Sequence, residues 1–295
     1  MDIARFFRIS SSALIAFVVV VVVAVGSTWW WGGRKLERKI DVEVQPVAFR
    51  DDAASIAHGK YLYESRGCMD CHGVNAAGKQ VFDEPNGLRV RAPDLTSANP
   101  AIARYQPEDW DRAIRHGVAP SGRPLLIMPS EEYNRLSNDD FAALVAYVRS
   151  LPPARGQPAE IRLPWFLRGL YGAGVIQDAA EKIDHRLPPS APIAATVSAS
   201  YGAYVANACM GCHGADLRGG NIPGAPPDWP PASDLRPGGV MKRYAQPGQF
   251  VTMMRTGKRP DGTEVSRVMP IASFSRMNDT DLNALYLYLT GTQRP

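Results

Sequence analysis

Two five-residue stretches carry the chemistry of this chain: Cys68-Met69-Asp70-Cys71-His72 and Cys209-Met210-Gly211-Cys212-His213. Each reads Cys-x-x-Cys-His, the spacing that attaches a c-type haem. The two thiols form thioethers to the haem vinyl groups, and the adjacent imidazole supplies one axial nitrogen to the iron. Together the motifs use all four cysteines of the chain. The competing readings are structural zinc, disulfides and a redox dithiol. Zinc needs a further Cys or His pair at ligand spacing, and none follows either motif. A thioredoxin-like dithiol needs a strand-to-helix context and has no use for the histidine. The motifs therefore predict two covalently bound haem c groups, held by Cys68, Cys71 and His72 and by Cys209, Cys212 and His213.

A haem that only carries electrons needs a second axial ligand on each iron, and methionine is a common partner of histidine. Between His72 and Met210 the chain holds one methionine, Met128, in the apolar loop Leu125-Leu126-Ile127-Met128-Pro129. Its rivals are His58 and His116. His213 is the last histidine, so a second imidazole from the C-terminal half is excluded. Met269 stands 56 residues after His213, as Met128 does after His72, and both precede a proline. Met241, Met253, Met254 and Met277 are then spare, the middle two read as core.

The elements that must position these residues repeat. Arg104-Tyr105 and Pro107 recur as Arg243-Tyr244 and Pro247, Asp94-Leu95 as Asp234-Leu235, Arg115 and Gly117 as Arg255 and Gly257, and Asn138-Asp139 as Asn278-Asp279. The offset stays at 140 or 141 residues, a period that suggests two duplicated domains. In the first copy, His58 to Arg66 reads as a helix leading into the motif, with Tyr61 and Tyr63 packing a haem edge. Val74 to Arg91 reads as loop. Tyr105 to Gly117 is helical, with Pro107 at its start and Gly117 as its stop. Ser137 to Leu151 is a helix capped by Ser137, with Phe141, Leu144, Val145 and Val148 on one face. Proline marks 153–197 as a linker. Its apolar, glycine-rich middle from Trp165 to Gly174 packs on a domain or on a partner, one or two helical turns fall in Ile176–Ile183, and His185 is a polar linker residue. In the second copy Trp229 is placed to shield the haem, and Pro93 corresponds to Ser233. The predicted domains are 52–152 and 198–292.

Ile9 to Trp31 is a 23-residue stretch without charge, ending in Trp29-Trp30-Trp31. Its length suits a membrane-spanning helix and its tryptophans an interfacial belt. Residues 1–40, this helix with its basic flank, are read as a single-pass anchor. The competing reading is a cleaved signal peptide, with Ala24-Val25-Gly26 as the cleavage site. Six basic and two acidic residues fall in the first 40, which accounts for the whole net charge of +4. The rest is balanced, with no basic field to suggest nucleic acid. More positive charge follows the apolar run than precedes it, against the positive-inside rule. Because c-type haem is attached outside the cytoplasmic membrane, the haem domains are expected in the periplasm all the same.

The paired motifs, the Pro-Asp-Leu segment at 93–95, the Met-Pro loops at 128 and 269 and the closing Leu/Tyr-rich helices resemble a membrane-anchored dihaem cytochrome c. Leu126 to Pro153 is similar to the cytochrome subunits of bacterial periplasmic dehydrogenases, which often carry three haems. The dihaem subunit of cbb3-type oxidases is similar in plan, but its characteristic inter-haem sequence is missing. The resemblance implies an all-α fold, an N-terminal transmembrane helix followed by two tandem class I cytochrome c domains. It implies electron transfer, not catalysis, between a membrane or periplasmic oxidoreductase complex and a soluble cytochrome c or terminal oxidase. A haem enzyme, such as a dihaem peroxidase or a thiosulfate-oxidising cytochrome, is the other class. It needs an open or unusually ligated iron, and no cysteine is left over as a ligand.

Overall fold

The computed structural model describes residues 3–222, 225, 226 and 228–291, with side chains from Ala13 onward. Part of the Gly/Pro-rich 219–231 loop and the end of the second predicted domain therefore lie outside the described residues. The architecture is mostly helical, as the resemblance implies. Helix α1 (Ile3–Leu36) is long and apolar enough to cross a membrane, and its side chains from Leu14 to Val25 are largely exposed. An extended stretch leads to α2 (Ala53–Ser65) and the one-turn attachment helix α3 (Cys68–His72). Helix α2 starts earlier than expected because Asp52 caps it, accepting from the Ser55 N–H at 2.9 Å.

Residues expected as loop form strands β1 (Gln80–Asp83) and β2 (Arg89–Arg91). Helices α4 (Pro107–His116) and α5 (Asn138–Ser150) follow. Strand β3 (Glu160–Arg162), from the linker, pairs antiparallel with β2 and completes a three-stranded sheet, β1-β2-β3. The strands are short, and β3 lies about seventy residues from its partner, so no local alternation announces them. The linker goes on as α6 (Trp165–Gly172) and α7 (Ala179–Lys182). The second copy then runs α8 (Ala199–Val205), α9 (Met210–His213), α10 (Pro247–Thr256), α11 (Ile271–Phe274) and α12 (Asp279–Thr290).

Helices α4 and α5 take the expected places. Pro107 opens α4, Asp109 accepts from the Gln106 N–H at 3.0 Å, and Gly117 ends it at φ +65°. Ser137 caps α5, and Phe141, Leu144, Val145 and Val148 are all buried. In each copy the first helix crosses the last: α2 on α5, and α8 on α12. The crossings are close because a glycine sits at each. A Cβ on Gly59 would collide with the Ala143 carbonyl oxygen, and one on Gly202 with that of Ala284.

The copies meet face to face with approximate two-fold symmetry. Tyr61 donates to Asp281 at 2.6 Å and accepts from the Asn278 N–H at 3.0 Å. In the mirrored contact Tyr204 donates to Asp140 at 2.6 Å and accepts from the Ser137 N–H at 3.1 Å. Tyr61 thus serves the inter-copy contact and not the haem edge expected of it. One group has no counterpart: Arg66, buried, reaches the fully buried Asp281 at 2.5 Å.

Two stability outcomes follow from this packing. Gly59→Ala and Gly202→Ala should each cost about 1–3 kcal/mol, the range for forcing extra volume into a packed site. Arg66→Met should cost about 3–5 kcal/mol, because it leaves Asp281 buried without its cation. Chemical denaturation of the haem-loaded protein checks both.

Candidate functional site

The attachment helices are held by matched reversals of the chain. Gly73 and Gly214 follow the histidines at φ +76° and +79°, a region open to glycine at little cost. The chain then turns back so that the Gly78 N–H donates to the His72 carbonyl and the Gly219 N–H to the His213 carbonyl, at 2.9 and 2.8 Å. Ala76 and Leu217, three residues after the glycines, also take positive φ. Their carbonyls accept from the Leu95 and Leu235 N–H groups. This brings the segments at 93–95 and 233–235 alongside the imidazoles.

The consequence is a carbonyl oxygen beside each ring. His72 Nδ1 lies 3.2 Å from the Pro93 oxygen and His213 Nδ1 2.7 Å from the Ser233 oxygen. A carbonyl only accepts, so Nδ1 carries the proton and Nε2 keeps its lone pair for a metal. Burial lowers the pKa of both imidazoles and so favours the neutral, ligating form. The change from Pro93 to Ser233 between the copies leaves this acceptor in place, since the bond uses the backbone oxygen in both.

In the second copy the structure brings the expected residues together around a cavity of about 320 Å³. Cys209, Cys212 and His213 line it along with Met269. Leu235, Phe250, Met253, Met254 and Leu285 supply apolar walls. Burial pushes the Cys209 thiol up to about 12. The four cysteines are unpaired, so no disulfide competes for them. Paired thiols, an imidazole with a free Nε2, a thioether and an apolar chamber fit a covalently attached porphyrin. Met241, Met253, Met254 and Met277 are buried in the core. Trp229 is half-buried and does not line the cavity, contrary to the shielding role expected of it; Ile222, Pro230 and Pro231 do.

In the first copy Cys68, Met69 and Met128 pack against one core with Tyr63, Trp110 and Tyr133. Tyr63 donates to the Gly73 carbonyl at 2.6 Å, tying α2 to the end of the motif. The rival histidines are engaged elsewhere. His58 Nε2 lies 2.7 Å from Asp140, which raises its pKa. His116 Nδ1 lies 2.9 Å from Nδ1 of His185. His185 is therefore part of the contact between α4 and the linker rather than a free polar residue.

Sequence reasoning missed the contacts that each attachment motif makes with the other copy. Asp70, between Cys68 and Cys71, accepts from the Ser273 hydroxyl at 2.7 Å. At the equivalent place Glu132 packs on Gly211, between Cys209 and Cys212, so closely that a Cβ there would collide with its carboxylate. Each attachment motif thus touches the Met-Pro loop of the other copy. A 141-residue offset pairs Asp70 with Gly211 and Glu132 with Ser273, and only that comparison hints at the contact in sequence.

The sequence profile of the cytochrome c family matches residues 56–152 and 199–293. The chain belongs to the cytochrome c family. Among its relatives, the fructose dehydrogenase cytochrome subunit of Gluconobacter japonicus is 31% identical over 118 residues, 38% of this chain and 24% of that protein. The gluconate 2-dehydrogenase cytochrome c subunit of Pantoea cypripedii is 30% identical over 127 residues, 40% of this chain and 29% of that protein. The cytochrome c subunit of the quinone alcohol dehydrogenase of Gluconobacter oxydans (strain 621H) is 26% identical over 269 residues, 81% of this chain and 55% of that protein. The chain thus spans between a quarter and just over half of the relatives it matches. As a c-type cytochrome with two family domains, it carries two covalently bound haem c groups and transfers electrons.

Glu132 gives this cytochrome c a testable pH response. Burial pushes its carboxyl up to about 8, neighbouring Glu131 adds to the effect, and the Gly211 N–H and Lys182 oppose it. It lines the second cavity with Asp70, Arg66 and Tyr133. As pH rises through about 8 the group becomes an anion, which favours the ferric over the ferrous state. The midpoint potential of the second haem should therefore fall, by no more than about 59 mV per pH unit for one proton and one electron. Glu132→Gln should remove the slope in a potentiometric titration.

Proposed function

We propose that this protein is a membrane-anchored, non-catalytic relay. It passes single electrons from a membrane or periplasmic oxidoreductase complex to a soluble cytochrome c or terminal oxidase. The observation that carries this reading is the reciprocal packing of each attachment motif on the segment after the Met-Pro pair of the other copy, Asp70 with Ser273 and Gly211 with Glu132. It puts both attachment motifs at the contact between the copies, which supports reading the two sites as one path.

His72 and Met128 are the proposed axial ligands of the first iron, His213 and Met269 those of the second. Haem supplies the one-electron ferric/ferrous couple. The protein's residues do the rest. Cys68, Cys71, Cys209 and Cys212 fix the groups covalently. The Pro93 and Ser233 carbonyls hold the imidazole tautomers. With His72 and Met128, and His213 and Met269, holding the irons, no place would be left for oxygen, peroxide or an organic substrate, and the methionine sulfurs would raise the potential. The haem domains are proposed as 52–152 and 198–292.

The apolar helix and the relatives' membership of dehydrogenases support the anchoring and the kind of partner. Fructose, gluconate and alcohol dehydrogenases each have a cytochrome subunit similar to this chain. A single span at residues 9–31 would hold the haem domains on the periplasmic side, where thioether attachment takes place. It would also keep the relay at high effective concentration beside a membrane partner.

Ligand substitution tests the electronic part. Met128→Ala and Met269→Ala should each remove about half of the far-red methionine-to-ferric-iron charge-transfer band. Each should also open one haem of the reduced protein to carbon monoxide. A wild-type protein that binds carbon monoxide rapidly would refute the closed-iron relay.

A further inference from the structure

The apolar middle of the linker packs on α1. Helix α6 lies across the C-terminal end of the spanning segment with almost no side chain between the backbones. A Cβ on Gly32 would collide with the Arg168 carbonyl oxygen, and one on Gly172 with that of Thr28. Close glycine contacts of this kind are how helices pair in lipid. The contact is locked just beyond it. Lys35 Nζ donates to the Tyr171 carbonyl at 3.1 Å and pairs with Glu181 at 2.8 Å. Arg38 bonds the Tyr171 hydroxyl and the Asp178 carboxylate at 2.7 Å each. Helix α6 is thus fixed against residues 28–38, where the uncharged run ends in three tryptophans.

At that level α6 and the turn after it leave large apolar side chains uncovered. Trp165 is 66% exposed, Phe166 38%, Leu170 39% and Val175 60%. The Val175 N–H donates to the Leu170 carbonyl at 3.0 Å, so the two lie together. Trp29, Trp30 and Trp31, at the same end of α1, are exposed as well. Two guanidinium groups stack on these tryptophans. Arg168 stacks on Trp29 at 4.1 Å, and its buried Nε has no hydrogen-bond partner among the described residues. Arg34 stacks on Trp30 at 5.0 Å. Tryptophan and arginine are suited to the headgroup region, where rings sit at the boundary and cations meet phosphate.

We propose that α6 is a second membrane contact, an interfacial helix in which Trp165, Phe166, Leu170 and Val175 enter the boundary between headgroups and acyl chains. Arg34 and Arg168 meet lipid phosphates there. The inference rests on reading α1 as a membrane anchor. Lipid is the occupant because the exposed face continues the apolar surface of α1 at the end of the span and is rimmed by cations that complement phosphate. Two membrane contacts fix the height and tilt of the haem pair above the bilayer, which one helix and a free linker would not.

Nitroxide labelling tests this in the full-length, haem-loaded protein. The native cysteines are taken up by haem, so one added cysteine can be labelled selectively. The variants are Leu170→Cys, Val21→Cys within the span and Val74→Cys on the exposed loop after the first motif. Each is reconstituted in phosphatidylethanolamine/phosphatidylglycerol vesicles, and label accessibility to oxygen and to a water-soluble nickel chelate is measured. An unchanged haem spectrum confirms the fold of each. At position 170 the oxygen-to-nickel ratio should be several-fold above that at 74 and below that at 21. A ratio at 170 equal to that at 74, with 21 still in lipid, overturns the proposal and leaves the anchor standing. A label at 170 shielded from both reagents means that protein covers the face, and likewise overturns it. A water-exposed label at 21 removes the anchor and the proposal together.

Discussion

Two helix crossings govern the geometry of this cytochrome. At each, a glycine lets the first helix of a copy rest on the backbone of its last helix: Gly59 on Ala143, Gly202 on Ala284. Interiors packed to crystal-like density do not absorb an added methyl group for nothing. Each crossing therefore sets the position of two functional ends. The C-terminal end of α2 or α8 leads into the attachment motif. The N-terminal end of α5 or α12 faces the opposite copy and receives its tyrosine. The haem ligand and the contact between copies are registered against the same fixed point.

The contact between copies shows how duplication and divergence share a surface. Asp140 and Asp281 each occupy the third residue of a helix, where the backbone dipole favours a negative charge. Each accepts a tyrosine from the opposite copy and a second donor from its own: His58 for Asp140, Tyr201 for Asp281. Symmetry ends at Arg66, which reaches only Asp281. Asp281 is fully buried while Asp140 keeps contact with water, so the carboxylate that needs a full positive partner has one. The attachment motifs diverge in the same complementary way. Asp70 extends toward a short Ser273, whereas Gly211 yields its space to a long Glu132.

The parts of this arrangement legible in the sequence were those with local or periodic signatures. Cys-x-x-Cys-His is a complete chemical unit within five residues. Capping at Ser137, the proline at 107 and the stop at Gly117 depend on neighbours within a turn. The 140–141 offset made each copy a template for the other, which is how Met269 stood out among five methionines. What stayed hidden depends on residues far apart in the chain. The β-sheet needs a strand from the linker. Tyr61 looked like packing for a haem edge because its partners, Asn278 and Asp281, lie more than two hundred residues away. His185 reads as a polar linker residue because its partner His116 lies 69 residues before it.

The basic residues after the apolar run show how a one-dimensional rule can mislead. By the positive-inside rule they argue for a cytoplasmic position. In the fold, Lys35 and Arg38 are bound to Glu181, Asp178 and Tyr171, which hold the linker against the end of α1. Asp178 is fully buried, so it needs a cation whichever side of a membrane it occupies. These charges have a structural reason to be where they are, and their bias loses weight as a topological signal. The periplasmic placement proposed from thioether attachment is then not opposed by these charges. The ion pairs that make the orientation look wrong are also the ones that hold the linker against α1.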